Sequence, residues 1–161
     1  MKNATVFILL FLLVLWSSCR SDFESAETSG QLEFSKDTVF LDTVFSNLST
    51  ETYSLKVYNT SREDIFIPQV SLKNGENSLY RLNVDGVAGN SFDNVEILAR
   101  DSVYIFIETT VPSGAVEENE FLYTDKLQFR SQSHLQEVPL VTLVKDAIFL
   151  FPKKDLQGIP E

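Results

Sequence analysis

Residues 101–111 read DSVYIFIETTV, and the alternation within them decides the fold class. Val103, Ile105, Ile107 and Val111 fall on one face of an extended chain, while Tyr104, Phe106 and Glu108 fall on the other. Apolar residues at every second position mark a strand with one buried face, because successive side chains of a strand point to opposite sides. β-Branched and aromatic residues make up most of the run, and these pack well on a pleated surface.

Working outward, residues 52–59 (TYSLKVYN) keep the same period: Tyr53, Leu55 and Val57 alternate with Ser54, Lys56 and Tyr58. Similar patterns predict strands over 64–72, 121–130 and 135–144, and shorter ones over 32–34, 80–84 and 95–98. The connecting segments NTSRED, KNGENS, DGVAGNSFDN, ARD and SGAVEENE are rich in turn-forming Gly, Asn, Asp and Ser. No window of a dozen residues holds a helical period. About eight short strands at regular spacing predict an all-β, antiparallel sandwich of about 7–9 strands. A sandwich fits better than a barrel, since most strands pair one apolar face with one mixed face. Pro68 and Pro139 each remove a ladder donor and are expected at an edge or a bulge.

The front of the chain is different in kind. It opens MKNATVFILLFLLVLWSSCRSD, with Lys2 ahead of an unbroken apolar run over 6–16. That run is shorter than the ~20 residues a membrane-spanning helix needs and reads as the core of a signal peptide covering 1–18. Cys19 follows it and is the single cysteine of the chain, so no intramolecular disulfide can form. The stretch Leu15-Trp16-Ser17-Ser18-Cys19 resembles the bacterial lipobox, with Trp16 and Ser18 where that motif more often has leucine and glycine or alanine. The resemblance implies acylation of Cys19 and anchoring of the mature chain in a membrane. One myristoyl chain binds a bilayer at only about 10⁴ M⁻¹, so two or three chains on one cysteine are what make a stable anchor.

Residues 19–30 are polar and acidic without hydrophobic periodicity, as a flexible tether would be. Asp22 and Glu24, close behind the cysteine, resemble surface-export signals of Bacteroidota lipoproteins. The chain carries 23 acidic and 13 basic residues. Losing the signal peptide takes Lys2 and no acid, which leaves 12 basic residues and a net charge of −11. Such a balance argues against nucleic acid, whose binding depends on Lys and Arg neutralising phosphates. The remaining length, 31–149, suffices for one domain with a real core, and 150–161 reads as a tail or the start of a linker.

Three segments together carry a further resemblance: TYSLKVYNTSREDIFIPQVSL, YRLNVDG and ILARDSVYIFIETTV. A strand ending V-x-N-x-S/T, an isoleucine-rich strand, and an A-x-D-S-V entry into a long apolar strand resemble the immunoglobulin-like modules of the ASH and PapD-like type. The chain is similar in particular to the module that Bacteroidota secreted lipoproteins place ahead of a right-handed parallel β-helix. This implies an immunoglobulin-like sandwich in the cell envelope, at the outer membrane on its periplasmic or exposed side, with a structural or interaction role toward a protein or glycan. No β-helix repeats follow before Glu161, so the expectation divides between a stand-alone module and the front of a larger polysaccharide-binding or polysaccharide-processing protein.

Candidate chemistry is sparse. His134 is the single histidine and lies between two predicted strands. With Cys19 assigned to the anchor, no Cys/His nucleophile pair remains, and a zinc site lacks its usual ligands. Carboxylates are plentiful, but no spacing singles out a pair for glycoside hydrolysis, so a non-enzyme without cofactor is expected. The loop NVDGVAGNSFDN offers Asn83, Asp85, Asn90 and Asp93 as oxygen ligands for calcium, though its spacing is not that of an EF-hand and Asp-Gly is itself a turn signal. Thr38, Thr43 and Ser102 each stand in an Asp-[Ser/Thr]-aliphatic triplet, which resembles the O-glycan acceptor of exported Bacteroidota proteins.

Two of those triplets belong to a doublet, DTVFLDTVF, at 37–45. Its copies are offset by five, so in a straight strand Phe40 and Phe45 would point to opposite faces. A break or bulge between Phe40 and Thr43, with the strand passing from one sheet to the other, would let both phenylalanines face the core.

Overall fold

The structure is a computed structural model that describes residues 25–28, 31–112, 114, 121–132 and 134–145. Cys19, Asp22, Glu24, the signal peptide and the tail 150–161 lie outside these residues. Eleven strands are described: β1 (Ala26–Glu27), β2 (Glu33–Phe34), β3 (Val39–Phe45), β4 (Tyr53–Tyr58), β5 (Ile65–Leu72), β6 (Tyr80–Val84), β7 (Val87–Gly89), β8 (Ser91–Ile97), β9 (Ser102–Thr109), β10 (Leu122–Arg130) and β11 (Leu135–Lys145). They form two sheets, one ordered β2-β4-β9-β6-β7 and one ordered β5-β10-β11-β3 with β8 and β1 also on β5. The expected all-β sandwich is what the chain builds, and β4, β6, β9, β10 and β11 lie where the alternation places them.

Two pairings are parallel, β1 on β5 and β3 on β11; the others are antiparallel. The inward residues interdigitate as the period-two pattern requires. Leu55, Val57, Leu82, Val84, Val103, Ile105 and Ile107 of one sheet meet Val39, Ile67, Val70, Leu127, Phe129, Val138 and Leu140 of the other, all buried. Phe34 closes one margin of this core with its ring centroid 4.7 Å from that of Phe129. A smaller cluster of Val44, Val111 and Val144 closes one end.

One buried polar network crosses this core. Tyr80 is fully buried, yet its hydroxyl donates to the Tyr123 carbonyl at 3.0 Å and shares a 2.9 Å hydrogen bond with Thr142 Oγ1. Burial pushes its phenol well above the ordinary 10.

The doublet bulges where expected, but it neither changes sheets there nor buries its phenylalanines. The change of sheet occurs before it, between Phe34, where β2 still pairs with β4, and Val39, where β3 begins on β11. Within β3 the register to β11 slips once, because Asp42 and Thr43 together stand opposite Leu143 alone, which is a bulge. The strand continues through both copies in one sheet, so it does not cross to the other sheet there. The extra residue does bring the copies into phase, but with Val39 and Val44 buried while Phe40 and Phe45 are 69% and 37% exposed. Branched valine takes the flat inter-sheet space, and both phenylalanines stay outside. Side chains satisfy the two amides at the bulge: Asp42 N–H donates to Tyr53 Oη at 3.0 Å and Thr43 N–H to Asp42 Oδ1 at 2.6 Å.

Two further expectations are corrected, while the two prolines each fall where a ladder is interrupted. Residues 25–28 of the expected tether are part of the sheet: β1 adds to β5, Thr28 is buried, and Gln132 N–H donates to Glu27 Oε1 at 2.8 Å. The segment 85–94, read as a loop, contains β7 and the first half of β8. Pro68 and Pro139 both sit in interior strands. Pro68 stands at a gap in the β5–β8 ladder opposite Asn94, whose φ is 52°, and there the inward side of β5 changes from Ile65 and Ile67 to Val70 and Leu72. Pro139 immediately precedes Leu140, the first β11 residue paired with β3, so its missing N–H costs no bond on that side.

Candidate functional site

The outward face of β4, β9 and β6 concentrates the recognisable chemistry. Period two turns Ser54, Lys56 and Tyr58 of β4 outward, with Tyr104, Phe106 and Glu108 of β9 and Arg81 and Asn83 of β6. The ladders set neighbours across strands: Lys56 opposite Tyr104, Ser54 and Asn83 on either side of Phe106, Arg81 opposite Glu108. Tyr104 and Phe106 are 43% and 41% exposed, and their rings lie parallel within 7° with centroids 5.9 Å apart. That separation suits an offset aromatic pair.

The charges on this face are matched locally. Lys56 Nζ lies 4.5 Å from the Tyr104 ring centroid, a cation–π contact, and hydrogen bonding to Tyr104 raises its ammonium above the ordinary 10.5 against some desolvation. Arg81 pairs with Glu108 at 3.8 Å and donates to Thr110 Oγ1 at 3.0 Å. Glu108 also accepts a hydrogen bond from the Thr52 hydroxyl.

Below this face, one buried side chain joins the turns at the sandwich end. Asn59, the asparagine of the V-x-N-x-S motif, donates through Nδ2 to the carbonyls of Glu63, Ile97 and Leu98 at 2.8, 3.1 and 3.0 Å. Its Oδ1 accepts from the N–H and hydroxyl of Ser61 at 3.0 and 2.7 Å. Asp64 adds a bond from Ala99 N–H at 2.8 Å. The β4–β5 turn is thereby fixed to the β8–β9 turn, which sets where β9 begins. The sequence motif has a structural cause: one buried amide presents its donors and its acceptor to five backbone and hydroxyl groups.

The calcium candidates do not converge. Asp85, with φ 49°, and Gly86, with φ 83°, form the two central residues of a tight β6–β7 turn, the positive-φ pair a type I′ hairpin requires. Asn83 lies on the sheet opposite Ala88 and Phe106, and Asn90 lies between β7 and β8. Asp85 and Asp93 do line one open cleft of about 430 Å³ with Glu96 and Asn94. Among the described residues no group of three His, Cys, Asp or Glu side chains could hold a metal ion.

The three glycan candidates are all half-buried and dispersed. Thr38 precedes β3, Thr43 sits in the bulge, and Ser102 opens β9, with Ser102 N–H donating to Asp101 Oδ1 at 2.7 Å. His134 lies in the β10–β11 hairpin, where the sequence places it, its carbonyl accepting from Ser131 N–H at 2.9 Å. A second cleft, of about 730 Å³, lies where the chain changes sheets and is lined by Leu32, Phe34, Asp37, Gln136 and neighbours. The Gln136 amide there accepts from Leu32 N–H at 2.7 Å and donates to Leu32 O at 3.1 Å, standing in for a missing strand.

No family model and no curated protein matches the chain. A solved family 123 glycoside hydrolase from Clostridium perfringens is similar over 73% of this chain and 28% of that one, at 9% identity and a TM-score of 0.45. The chain thus spans less than a third of that enzyme's length, and a likeness this slight carries no argument about activity.

Proposed function

We infer that this chain is a lipid-anchored module of the cell envelope with a non-catalytic interaction role, displayed on a sandwich that works through its surface. Support for the anchor comes from the apolar run ending at Cys19. Support for interaction comes from one observation above others: a parallel pair of exposed aromatic rings, Tyr104 and Phe106, held on a rigid interior strand among polar neighbours. Exposed aromatic groups grouped on a rigid sheet serve recognition better than stability, since they give up little entropy on binding. A Cys/His nucleophile pair has no support, because the single histidine lies in the β10–β11 hairpin and the single cysteine is the expected lipid site.

The test joins both halves. Mass spectrometry of membrane-extracted protein is expected to show acylated Cys19, with Cys19→Ala in the soluble fraction, and cross-linking in intact cells is expected to capture envelope material through positions next to Phe106. An unmodified, soluble wild type removes the anchor; no captured material at that face removes the interaction role.

A further inference from the structure

We propose that the apolar run 147–151, which follows β11 and lies outside the described residues, packs onto the sandwich end formed by Leu48, Phe121 and Leu122 and completes the domain there.

Three exposed apolar side chains bracket the end of one strand. Leu48, Phe121 and Leu122 are 47%, 61% and 54% exposed. In the sheet order β10-β11-β3, Phe121 and Leu122 stand on the β10 side of β11, and Leu48 follows β3 on the other side. Both groups are tied to the end of β11. Val144 N–H donates to the Phe121 carbonyl at 2.7 Å, and Leu122 stands opposite Leu143. Across the strand, Ser46 N–H donates to the Lys145 carbonyl at 3.1 Å and Leu48 N–H to the Phe45 carbonyl at 3.0 Å. Neighbouring strands lie about 4.8 Å apart, so the chain leaving Lys145 starts between the two groups and within side-chain reach of both.

The sequence supplies the occupant. Lys145 is followed by Asp146 and then by Ala147, Ile148, Phe149, Leu150 and Phe151, before Pro152, Lys153 and Lys154 restore polar composition. Five apolar residues in succession have no polar face in either strand or helix, so the run requires cover. Extended, it reaches about 17 Å, more than the roughly 10 Å between the strands that flank β11. The core beneath this end is thin, a cluster of Val44, Val111 and Val144 with Leu79 and Tyr123 against it, and the run would thicken it.

Other occupants fit less well. Ala26 pairs with Ile65 at the far end of the sandwich, and the eleven residues of β11 separate that end from Lys145. A lipid anchor ahead of β1 would therefore set this patch away from the bilayer by about 35 Å of strand. A second copy or another protein would have to compete with a covalently linked segment, whose effective concentration over a short connection is on the order of millimolar. With the run in place the domain extends through Phe151, two residues past the boundary at 149 read from the sequence, and its entry and exit lie at opposite ends.

The experiment places the photo-cross-linking residue p-benzoylphenylalanine at position 149, 151 or 157 of the full-length chain, expressed with its signal peptide and purified in detergent, and maps the products by mass spectrometry. Within-chain links to residues 45–48 and 121–122 are expected from 149 and 151 and not from 157. In parallel, Phe121→Ser and Phe149→Ser should each lower the unfolding midpoint, the double variant by no more than the larger single effect, while Gln157→Ser leaves it unchanged. If Phe149→Ser fails to fold, Phe151→Ser takes its place, and the cross-links are read independently of either. Links between two chains would give the patch to a second copy, and links to a different protein would give it to a partner; each overturns the proposal. Within-chain links elsewhere, equal links from 157, no links at all, or additive effects of the two serine substitutions overturn it as well.

Discussion

The two faces of β9 differ more than any two elements of the fold. Inward, Val103, Ile105, Ile107 and Thr109 are buried against the opposite sheet; outward, Tyr104 and Phe106 stand in solvent between Lys56 and Asn83. One strand of eight residues therefore divides its side chains between holding the sandwich together and offering a surface. Substitutions on the inward side should change stability, and those on the outward side should change binding alone.

The sharpest separation is expected at adjacent residues. Ile105→Ala should cost about 2–5 kcal/mol by leaving a cavity at a fully buried site. Phe106→Ala, one residue on, should stay within about 0.5 kcal/mol of wild type. Chemical denaturation of both measures the difference, and comparable losses would break the division.

Next in size is Asn59→Leu. It removes the amide that donates to the carbonyls of Glu63, Ile97 and Leu98 and accepts from the Ser61 N–H, at about 1–3 kcal/mol. Because Asn59 fixes the turn from which β9 starts, hydrogen exchange should also quicken over β8 and β9.

Tyr80→Phe should cost about 1 kcal/mol, since it removes the hydroxyl bonded to the Tyr123 carbonyl and Thr142. Its pH signature is on the alkaline side. The unfolded phenol releases its proton near pH 10 while the folded one keeps it, so stability falls as pH rises past about 10. Tyr80→Phe should flatten that limb of the pH–stability curve.

The smallest effect belongs to an outward pair on the other sheet. Hydrogen bonds from Lys126 and Gln128 hold the Glu137 carboxyl below its ordinary 4.5. A carboxylate favoured in the fold stabilises above its unfolded pKa, and this is lost as pH falls through the folded value. Glu137→Gln should flatten the acid limb slightly, in keeping with an exposed pair.

The inward half of this division was legible in the sequence, because alternation reports which residues need burial and β9 and β4 keep it without interruption. Legibility failed where tertiary pairing overrode composition. Nothing in the polar run around Ala26 and Glu27 signals a strand, since β1 exists because β5 offers it an edge. The Gly- and Asn-rich 85–94 is likewise drawn into strands by its neighbours. The doublet at 37–45 fixed the need for a bulge by its odd spacing, yet not which side of the strand would be buried. Tyr104 and Phe106 were readable as outward residues, but their identity as a site depended on Lys56, Ser54 and Asn83 beside them, and register is not written in period two.

Amide chemical-shift mapping of the wild-type chain, titrated with the envelope material captured by cross-linking next to Phe106, tests the division most directly. Shifts confined to residues 54–58, 81–83 and 102–108 are the predicted result. Shifts centred on Phe40, Phe45 and the adjoining β11 residues, or none at all, would contradict it.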